Sequence, residues 1–134
     1  MFVLNSTLEK DSIPLLETDL CLVRLVNDRR YPWVLIVPKV ADVSELHELS
    51  QKDYIEVMKT AHAVGAIMKI GFGADKINTA AIGNMVSQLH IHVVARRQDD
   101  ATWPGPIWGV GEMEPLTDDA IAHRSTVIRN GMSA

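Results

Sequence analysis

Two apolar runs near the start of the chain have the length and composition of β-strands. Leu20–Val26 is interrupted only by Arg24, and Trp33–Val37 is the most continuous apolar run in the sequence. The segment between them, residues 27–32, begins with Asn-Asp and ends with proline, which favours a turn. The pattern predicts an antiparallel hairpin with a long connecting loop.

The residues after Ser50 have apolar positions at the spacing of an α-helix. Ser50 is a good N-cap, Asp53 lies in the first turn after it, and Gly71 and Gly73 are stop signals. The apolar residues predicted to share one stripe of this helix are Tyr54, Val57, Met58, Ala61, Gly65 and Met68. The sequence therefore predicts one long helix whose second half is covered on most sides.

Two more strands, Lys76–Ile82 and Gln88–Ala95, are predicted beyond the helix. The prolines in Trp103–Gly109 exclude regular structure there, and a short helix is expected after Thr117. Strands, one dominant helix and strands again predict an α+β fold, with an antiparallel sheet of about five strands packed on one long helix.

Candidate chemistry is concentrated in the last predicted strand. Side chains alternate along a strand, so Gln88, His90 and His92 share one face and the apolar residues between and beyond them share the other. The two imidazoles are expected about 7 Å apart on an open surface. Imidazole serves as a nucleophile, a general acid or a metal ligand near neutral pH.

Three interpretations of this face are open from the residues alone. It is an exposed strand that carries two histidines, a metal site, or a site of nucleophilic catalysis. A metal needs further ligands, for which the candidates are His47, His62 and His123, and no acidic residue is adjacent to the pair in sequence.

Composition narrows the class of protein. The chain has 134 residues, a net charge of −4 and one cysteine, Cys21. No segment reaches the ~20 apolar residues of a membrane span, and the acidic balance argues against binding a nucleic acid polymer. Cys21 cannot form an internal disulfide, which favours a reducing compartment. We expect a cytoplasmic protein with one domain over residues 1–134.

The segment Gln88–Arg96 resembles the signature of the histidine triad (HIT) family, a His-x-His-x-His strand followed by apolar residues. The preceding Gly83-Asn84 resembles that family's Gly-Gln pair. Trp33–Lys39 resembles its strand ending in Pro-Lys or Pro-Arg, and Asp42–Leu49 resembles the leucine-spaced approach to its long helix. The elements occur in the family's order over roughly residues 20–97.

The resemblance implies hydrolysis or transfer at the α-phosphate of a nucleotide conjugate, with no metal or other cofactor. His90 takes the position of the family's nucleophile, and His92 that of the residue that binds the α-phosphate oxygens. Asn84 would help to stabilise the charge on the phosphate. The resemblance also implies a homodimer joined edge to edge, with residues 98–134 as a tail that packs on the partner.

Two departures from the family pattern bear on activity. Gln88 replaces the first triad histidine, so it orients by hydrogen bonds and transfers no proton. Trp33 stands where many members carry a further histidine. The resemblance implies that the substrate is a dinucleoside polyphosphate or a nucleoside phosphoramidate. Because of the two departures, the alternative is a nucleotide-binding protein with weakened catalysis.

Other residues have two open interpretations each. Asn78 falls near a family asparagine that reaches the phosphate or ribose, and Asp28 near an acidic residue on the ribose hydroxyls; both are also ordinary strand-start or turn residues. Arg96 is expected to face solvent at the strand end. Trp103 and Trp108 are expected to anchor the proline-rich tail rather than to stack on a base.

Overall fold

The computed structural model describes all 134 residues. In chain order its elements are α1 (Ser6–Lys10), β1 (Ser12–Glu17), β2 (Cys21–Val26), β3 (Trp33–Pro38), a 3-10 turn (Leu46–Glu48), α2 (Gln51–Gly71), β4 (Lys76–Ala80), β5 (Ile91–Arg96) and α3 (Asp118–Ser133). The sheet order is β1-β2-β3-β5-β4, with every neighbouring pair antiparallel. The predicted α+β class and five-stranded antiparallel sheet are confirmed.

The predicted hairpin is formed by β2 and β3, which pair from Cys21↔Pro38 to Leu25↔Val34. The sequence pattern did not reveal β1, because Pro14 interrupts it. Proline is tolerated there since β1 is an edge strand, and the register shifts between Pro14 and Leu16. Cys21 is buried in the core, and this burial raises the pKa of its thiol to about 11.

One face of the sheet packs on α2 and forms the main core. The buried residues that meet there include Val23, Leu25, Val34, Ile36, Val57, Val64, Met68, Ile91 and Val93. The helix begins as predicted, with the Ser50 hydroxyl accepting from the Asp53 amide. The prediction that Tyr54 lies on the buried stripe of this helix is wrong, because its residue surface is 41% exposed. The buried stripe runs through Val57, Ala61, Val64 and Met68 instead.

The last helix begins after Thr117 as predicted, but it is 16 residues long rather than short. It packs against α2 so closely that a Cβ at Gly71 would collide with Val127, and one at Gly131 with Ile67. The tail therefore has a docking surface within its own chain, and its contact with a partner subunit stays a prediction. No helix has both the length and the apolar character to cross a membrane.

The second face of the sheet is covered at two places. We call residues 1–5 the N-terminal wall and residues 99–109 the C-terminal wall. Phe2 and Leu4 of the N-terminal wall pack on a cluster formed by Leu8, Val26, Leu35 and Val37. Ile107 of the C-terminal wall is buried with Tyr31 and Val94. The histidine pair faces this second side of the sheet.

The predicted last strand is longer than the observed one. β5 begins at Ile91, so Gln88, Leu89 and His90 precede it. The ladder with β3 ends at Ile36↔Ile91, and β4 ends at Ala80, so no strand is beside residues 88–90. Leu89 is nevertheless fixed, because its amide donates to the Val43 carbonyl and its side chain enters the core.

Candidate active site

His90 lies just before β5, and its imidazole is held by the backbone beside it. Its Nδ1 atom is 2.7 Å from the carbonyl oxygen of Gln88. A carbonyl only accepts hydrogen bonds, so Nδ1 carries the proton and donates it. In the neutral imidazole this leaves the lone pair on Nε2, which is the form that a nucleophile requires.

His92 lies in β5 and has the opposite tautomer. Its Nδ1 atom accepts a hydrogen bond of 3.0 Å from the indole Nε1–H of Trp33. Since an indole N–H only donates, the proton of His92 is on Nε2. Burial, and to a smaller extent His90, lower the pKa of His92 to about 3. His92 is thus a neutral imidazole that presents an N–H donor.

The two imidazoles are in edge-to-face contact. Their ring centroids are 4.8 Å apart and the ring planes are 66° to each other. This is closer than the ~7 Å predicted from strand rise, and His90 lies outside β5, which begins at Ile91. Trp33 and Trp108 flank His92, with ring centroids 5.8 Å and 5.2 Å away. The pair therefore combines a lone pair and a donor within one small aromatic enclosure.

Gln88 contributes to the site through its backbone rather than its side chain. The side-chain amide donates to the Val3 carbonyl over 2.8 Å and accepts from the Asn5 amide over 2.8 Å. The predicted orienting role thus falls to the Gln88 carbonyl, which receives the His90 proton. The side chain instead fixes the N-terminal wall.

The three predicted substrate-binding residues differ in exposure and in the hydrogen bonds that their side chains make. Asn84 is exposed in the turn after Gly83, and its side-chain amide makes no hydrogen bond. The side-chain oxygen of Asn78 accepts from the Arg96 guanidinium over 2.9 Å. Asp28 is fully buried and its carboxylate is paired with Arg30 over 2.9 Å. Of the three, Asn84 is the one whose side chain makes no hydrogen bond at all.

Arg96 is a correction to the sequence analysis, because it is buried rather than facing solvent. Its residue surface is 1% exposed, and it makes an ion pair with Asp100 over 2.7 Å. It also donates to the Gly105 carbonyl and lies over the Trp103 ring. The position of Arg96 at the end of β5 does not indicate that it is buried, because it is the C-terminal wall that folds back over the end of the strand and covers it. Trp103 is an anchor of that wall, as expected.

Sequence reasoning missed the role of Trp33, which it took as the loss of an imidazole. The register Trp33↔Val94 and Leu35↔His92 places Trp33 diagonally across from His92 on the same face. The signal that would have found it was the pairing of β3 with β5. That pairing joins residues separated by the whole of α2 and β4.

A metal site at the histidine pair would need further ligands. No group of three or more His, Cys, Asp or Glu side chains in the chain is arranged to hold a metal ion. His47, His62 and His123 therefore do not join His90 and His92. The arrangement instead matches nucleophilic chemistry, in which one nitrogen attacks and the other binds the developing charge.

Comparison with known proteins identifies the family. The HIT domain family matches residues 7–99. The chain belongs to the HIT family. A HIT protein from Sinorhizobium meliloti is 43% identical, with 97% of this chain and 96% of that one aligned and a TM-score of 0.95.

Two other solved HIT structures are similar over nearly the full chain. A histidine triad protein from Marinobacter aquaeolei is 38% identical, aligns 99% of this chain and 97% of its own, and has a TM-score of 0.96. One from Bradyrhizobium japonicum is 34% identical over 97% of both chains, with a TM-score of 0.95. No curated protein matched the sequence. HIT membership indicates nucleotide binding, or the hydrolysis or transfer of nucleotides.

Proposed function

We propose that this HIT protein cleaves nucleotide conjugates at the α-phosphate through a nucleotidyl intermediate on His90. The observation that carries the proposal is the hydrogen bond from His90 Nδ1 to the Gln88 carbonyl. It leaves a lone pair on Nε2 without the need for a separate general base. The proposed substrates are dinucleoside polyphosphates or nucleoside phosphoramidates.

In the first step, Nε2 of His90 attacks the α-phosphorus and the bond to the leaving group breaks. The imidazole gains positive charge as the phosphorus–nitrogen bond forms. The Gln88 carbonyl oxygen, which already accepts from Nδ1, stabilises that charge. In the second step water attacks phosphorus, the electron pair returns to Nε2, and the nucleoside monophosphate leaves with one proton released to solvent.

The charge on the phosphate oxygens needs donors that do not have to reorganise. His92 supplies one, because its Nδ1 accepts from Trp33 and the ring N–H is therefore on Nε2. Its low pKa keeps this donor in one form throughout the neutral range. Asn84 is a further candidate donor, since its amide is exposed and unpaired next to the start of the histidine segment.

A nucleotide-binding protein without appreciable turnover is the alternative. One observation favours it: the Gln88 amide is held by Val3 and Asn5 and cannot transfer a proton. This alternative and the proposed hydrolase share the same site. They differ in whether a covalent bond forms at His90.

The test is to trap that bond. Wild-type protein and the His90→Ala variant are incubated with diadenosine tetraphosphate or adenosine 5′-phosphoramidate, quenched, and read by mass spectrometry. We expect a nucleotidyl adduct on His90 in the wild type, and at least a thousandfold loss of turnover in the variant, on the order of what loss of a catalytic nucleophile costs. His62→Ala, a change at an exposed histidine on α2, is the matched control.

Nucleotide binding is measured in parallel by calorimetry. Binding that survives in His90→Ala while turnover disappears supports the proposal. Binding by the wild type with no adduct and no product supports the alternative. Turnover that His90→Ala leaves intact contradicts the mechanism, and turnover lost in chelator would point to a metal-dependent enzyme.

A further inference from the structure

The histidine pair has a nucleophile and a donor but no group that can release a proton. Three aromatic side chains are in ring contact with or bonded to His92: His90, Trp33 and Trp108. None of them is a carboxylic acid, and His90 is itself the proposed nucleophile. No third His, Cys, Asp or Glu side chain joins the two histidines in a group that could hold a metal ion.

The hydrogen bond from Trp33 determines what His92 can do. To act as a general acid, His92 would have to be an imidazolium with protons on both ring nitrogens. A proton on Nδ1 would point at the indole N–H of Trp33, which is itself a donor 3.0 Å away. The imidazolium would also be buried, with no carboxylate to balance its charge. Trp33 therefore opposes the acid form directly.

The other candidates for a proton donor are committed elsewhere. The Gln88 amide does not ionise and is bonded to the N-terminal wall. The nearest charged side chain on the same strand face, Arg96, is paired with Asp100 and Asn78. The Nδ1 proton of His90 is used on the Gln88 carbonyl.

We infer that Trp33 is a positioning residue that locks His92 as a neutral Nε2–H donor, and that the site is thereby restricted to conjugates whose leaving group departs without a proton from the protein. This inference rests on the proposed function and narrows its substrate class. It favours phosphoric anhydrides, such as dinucleoside polyphosphates, over phosphoramidates.

The atoms balance differently for the two substrate classes. With an anhydride, the bond from the α-phosphorus to the bridging oxygen breaks, and its electron pair leaves on a phosphate that is a stable anion. No proton is needed. With a phosphoramidate, the phosphorus–nitrogen bond breaks, and the amine must take a proton as it leaves. In this site that proton has to come from water.

The first experiment reads the tautomer of His92 without any substrate. Protein labelled with ¹⁵N at histidine is titrated by NMR, for the wild type, Trp33→Phe and Trp108→Phe. We expect the wild type to show a neutral Nε2–H imidazole that does not titrate above pH 4, in line with its pKa of about 3. Trp33→Phe keeps an aromatic ring but removes the donor, so we expect Nδ1–H tautomer to appear and the pKa to rise.

Trp108→Phe is the matched control. Trp108 also packs on His92, but its indole N–H makes no hydrogen bond. We expect His92 to keep the Nε2–H tautomer of the wild type in this variant. A wild-type His92 that carries its proton on Nδ1, or a Trp33→Phe variant whose His92 has the same tautomer and pKa as the wild type, would overturn the positioning role. The wild-type spectrum alone decides the tautomer if Trp33→Phe fails to fold.

The second experiment varies the leaving group with wild-type protein. The rate constant kcat/KM is measured for adenosine 5′-phosphate esters of phenols that span a range of acidity, and for diadenosine tetraphosphate and adenosine 5′-phosphoramidate. General acid catalysis is worth about 10²–10⁴-fold. We expect the anhydride to be preferred over the amidate by a factor in that range, and the rate to fall steadily as the phenol becomes less acidic.

These outcomes separate the inference from the proposed function. A rate that does not depend on phenol acidity, or equal rates for anhydride and amidate, would overturn the inference while an adduct on His90 still supported the mechanism. Absence of the adduct with every substrate would overturn the proposed function itself. The NMR result stands in either case, because it requires no turnover.

Discussion

The two walls beside the histidine pair are irregular segments held in place by different chemistry. A neutral amide, Gln88, holds the N-terminal wall through two hydrogen bonds to backbone groups. A buried ion pair between Arg96 and Asp100 holds the C-terminal wall. The Asp100 carboxylate also accepts hydrogen bonds from the backbone amides of Thr102 and Trp103. Gln88 and Arg96 belong to the same chain segment and are eight residues apart in sequence.

This difference shows how the site can keep charge away from its histidines. Asp100 neutralises Arg96 within the C-terminal wall, so the guanidinium does not act as a bare cation on the face that carries His92. The N-terminal wall brings no ionisable side chain to Gln88, since Gln88 bonds only to backbone. The two walls should therefore differ in their sensitivity to substitution and to pH.

The largest effect is expected from breaking the C-terminal wall with Asp100→Ala. The side chains of Arg96 and Asp100 are 2% and 5% exposed, so the variant leaves a buried guanidinium without its carboxylate. Removing one partner of a buried pair costs about 3–5 kcal/mol of the free energy of unfolding. Urea unfolding measures this loss.

Asp99→Ala is the matched control, because the adjacent Asp99 pairs with Arg97 at the exposed surface. We expect it to change the free energy of unfolding by no more than about 0.5 kcal/mol. Equal losses in the two variants would show that the buried pair does not hold the wall.

The second-largest effect is expected from lowering the pH, which should destabilise the C-terminal wall and not the N-terminal wall. Burial alone would raise the pKa of Asp100, but hydrogen bonds from Arg96 and from the backbone amides of Arg97 and Thr102 outweigh it and lower the pKa from 3.8 to about 2. A lowered folded-state pKa contributes stability that is present above the unfolded value and lost as the pH falls through the folded one. The contribution is about 2 kcal/mol, lost between about pH 4 and pH 2.

Amide hydrogen exchange, corrected for intrinsic rates, measures the loss of stability separately for each wall. Protection of the Thr102 and Trp103 amides should fall over that pH window. The Asn5 amide, which donates to the uncharged Gln88 side chain, should keep its protection. Parallel loss at Asn5 would contradict the contrast between the walls.

The smallest effect is expected from Gln88→Ala, which removes both bonds to the N-terminal wall. Two neutral, partly exposed hydrogen bonds contribute about 1–2 kcal/mol in total, and the Asn5 amide should exchange faster. Turnover should fall far less than in His90→Ala, since the Gln88 carbonyl that orients His90 is unchanged. Gln98→Ala, at an exposed side chain, is the control. Activity lost as completely as in His90→Ala would show that the Gln88 side chain takes part in the reaction.

Local signals were enough for much of the fold. The β2–β3 hairpin and the start of α2 were predictable because the residues that specify them are close together along the chain. The Ser50 cap and the turn before Trp33 act over a few residues. β1 escaped prediction because Pro14 hides an edge strand, and α3 was expected to be short because its packing partner, α2, is distant in sequence.

The candidate site was predictable only in part. Strand alternation correctly assigned Leu89, Ile91 and Val93 to the core, which leaves His90 and His92 on the opposite face. Arg96 was assigned to solvent, since nothing local indicates that residues 99–109 fold back over it. Asp28 and Asn78 looked available because their partners, Arg30 and Arg96, are ordinary surface residues by type.

The sequence by itself identified His90 and His92 as the candidate residues, because period-two alternation and the order of family motifs are properties of the chain. The tertiary structure alone decided the state of each group. The proton of His92 depends on Trp33, 59 residues away, and the use of the Gln88 amide depends on Val3, 85 residues away. A hydrogen bond fixes a tautomer or commits a side chain only when both partners are in place, and only folding brings such distant partners together.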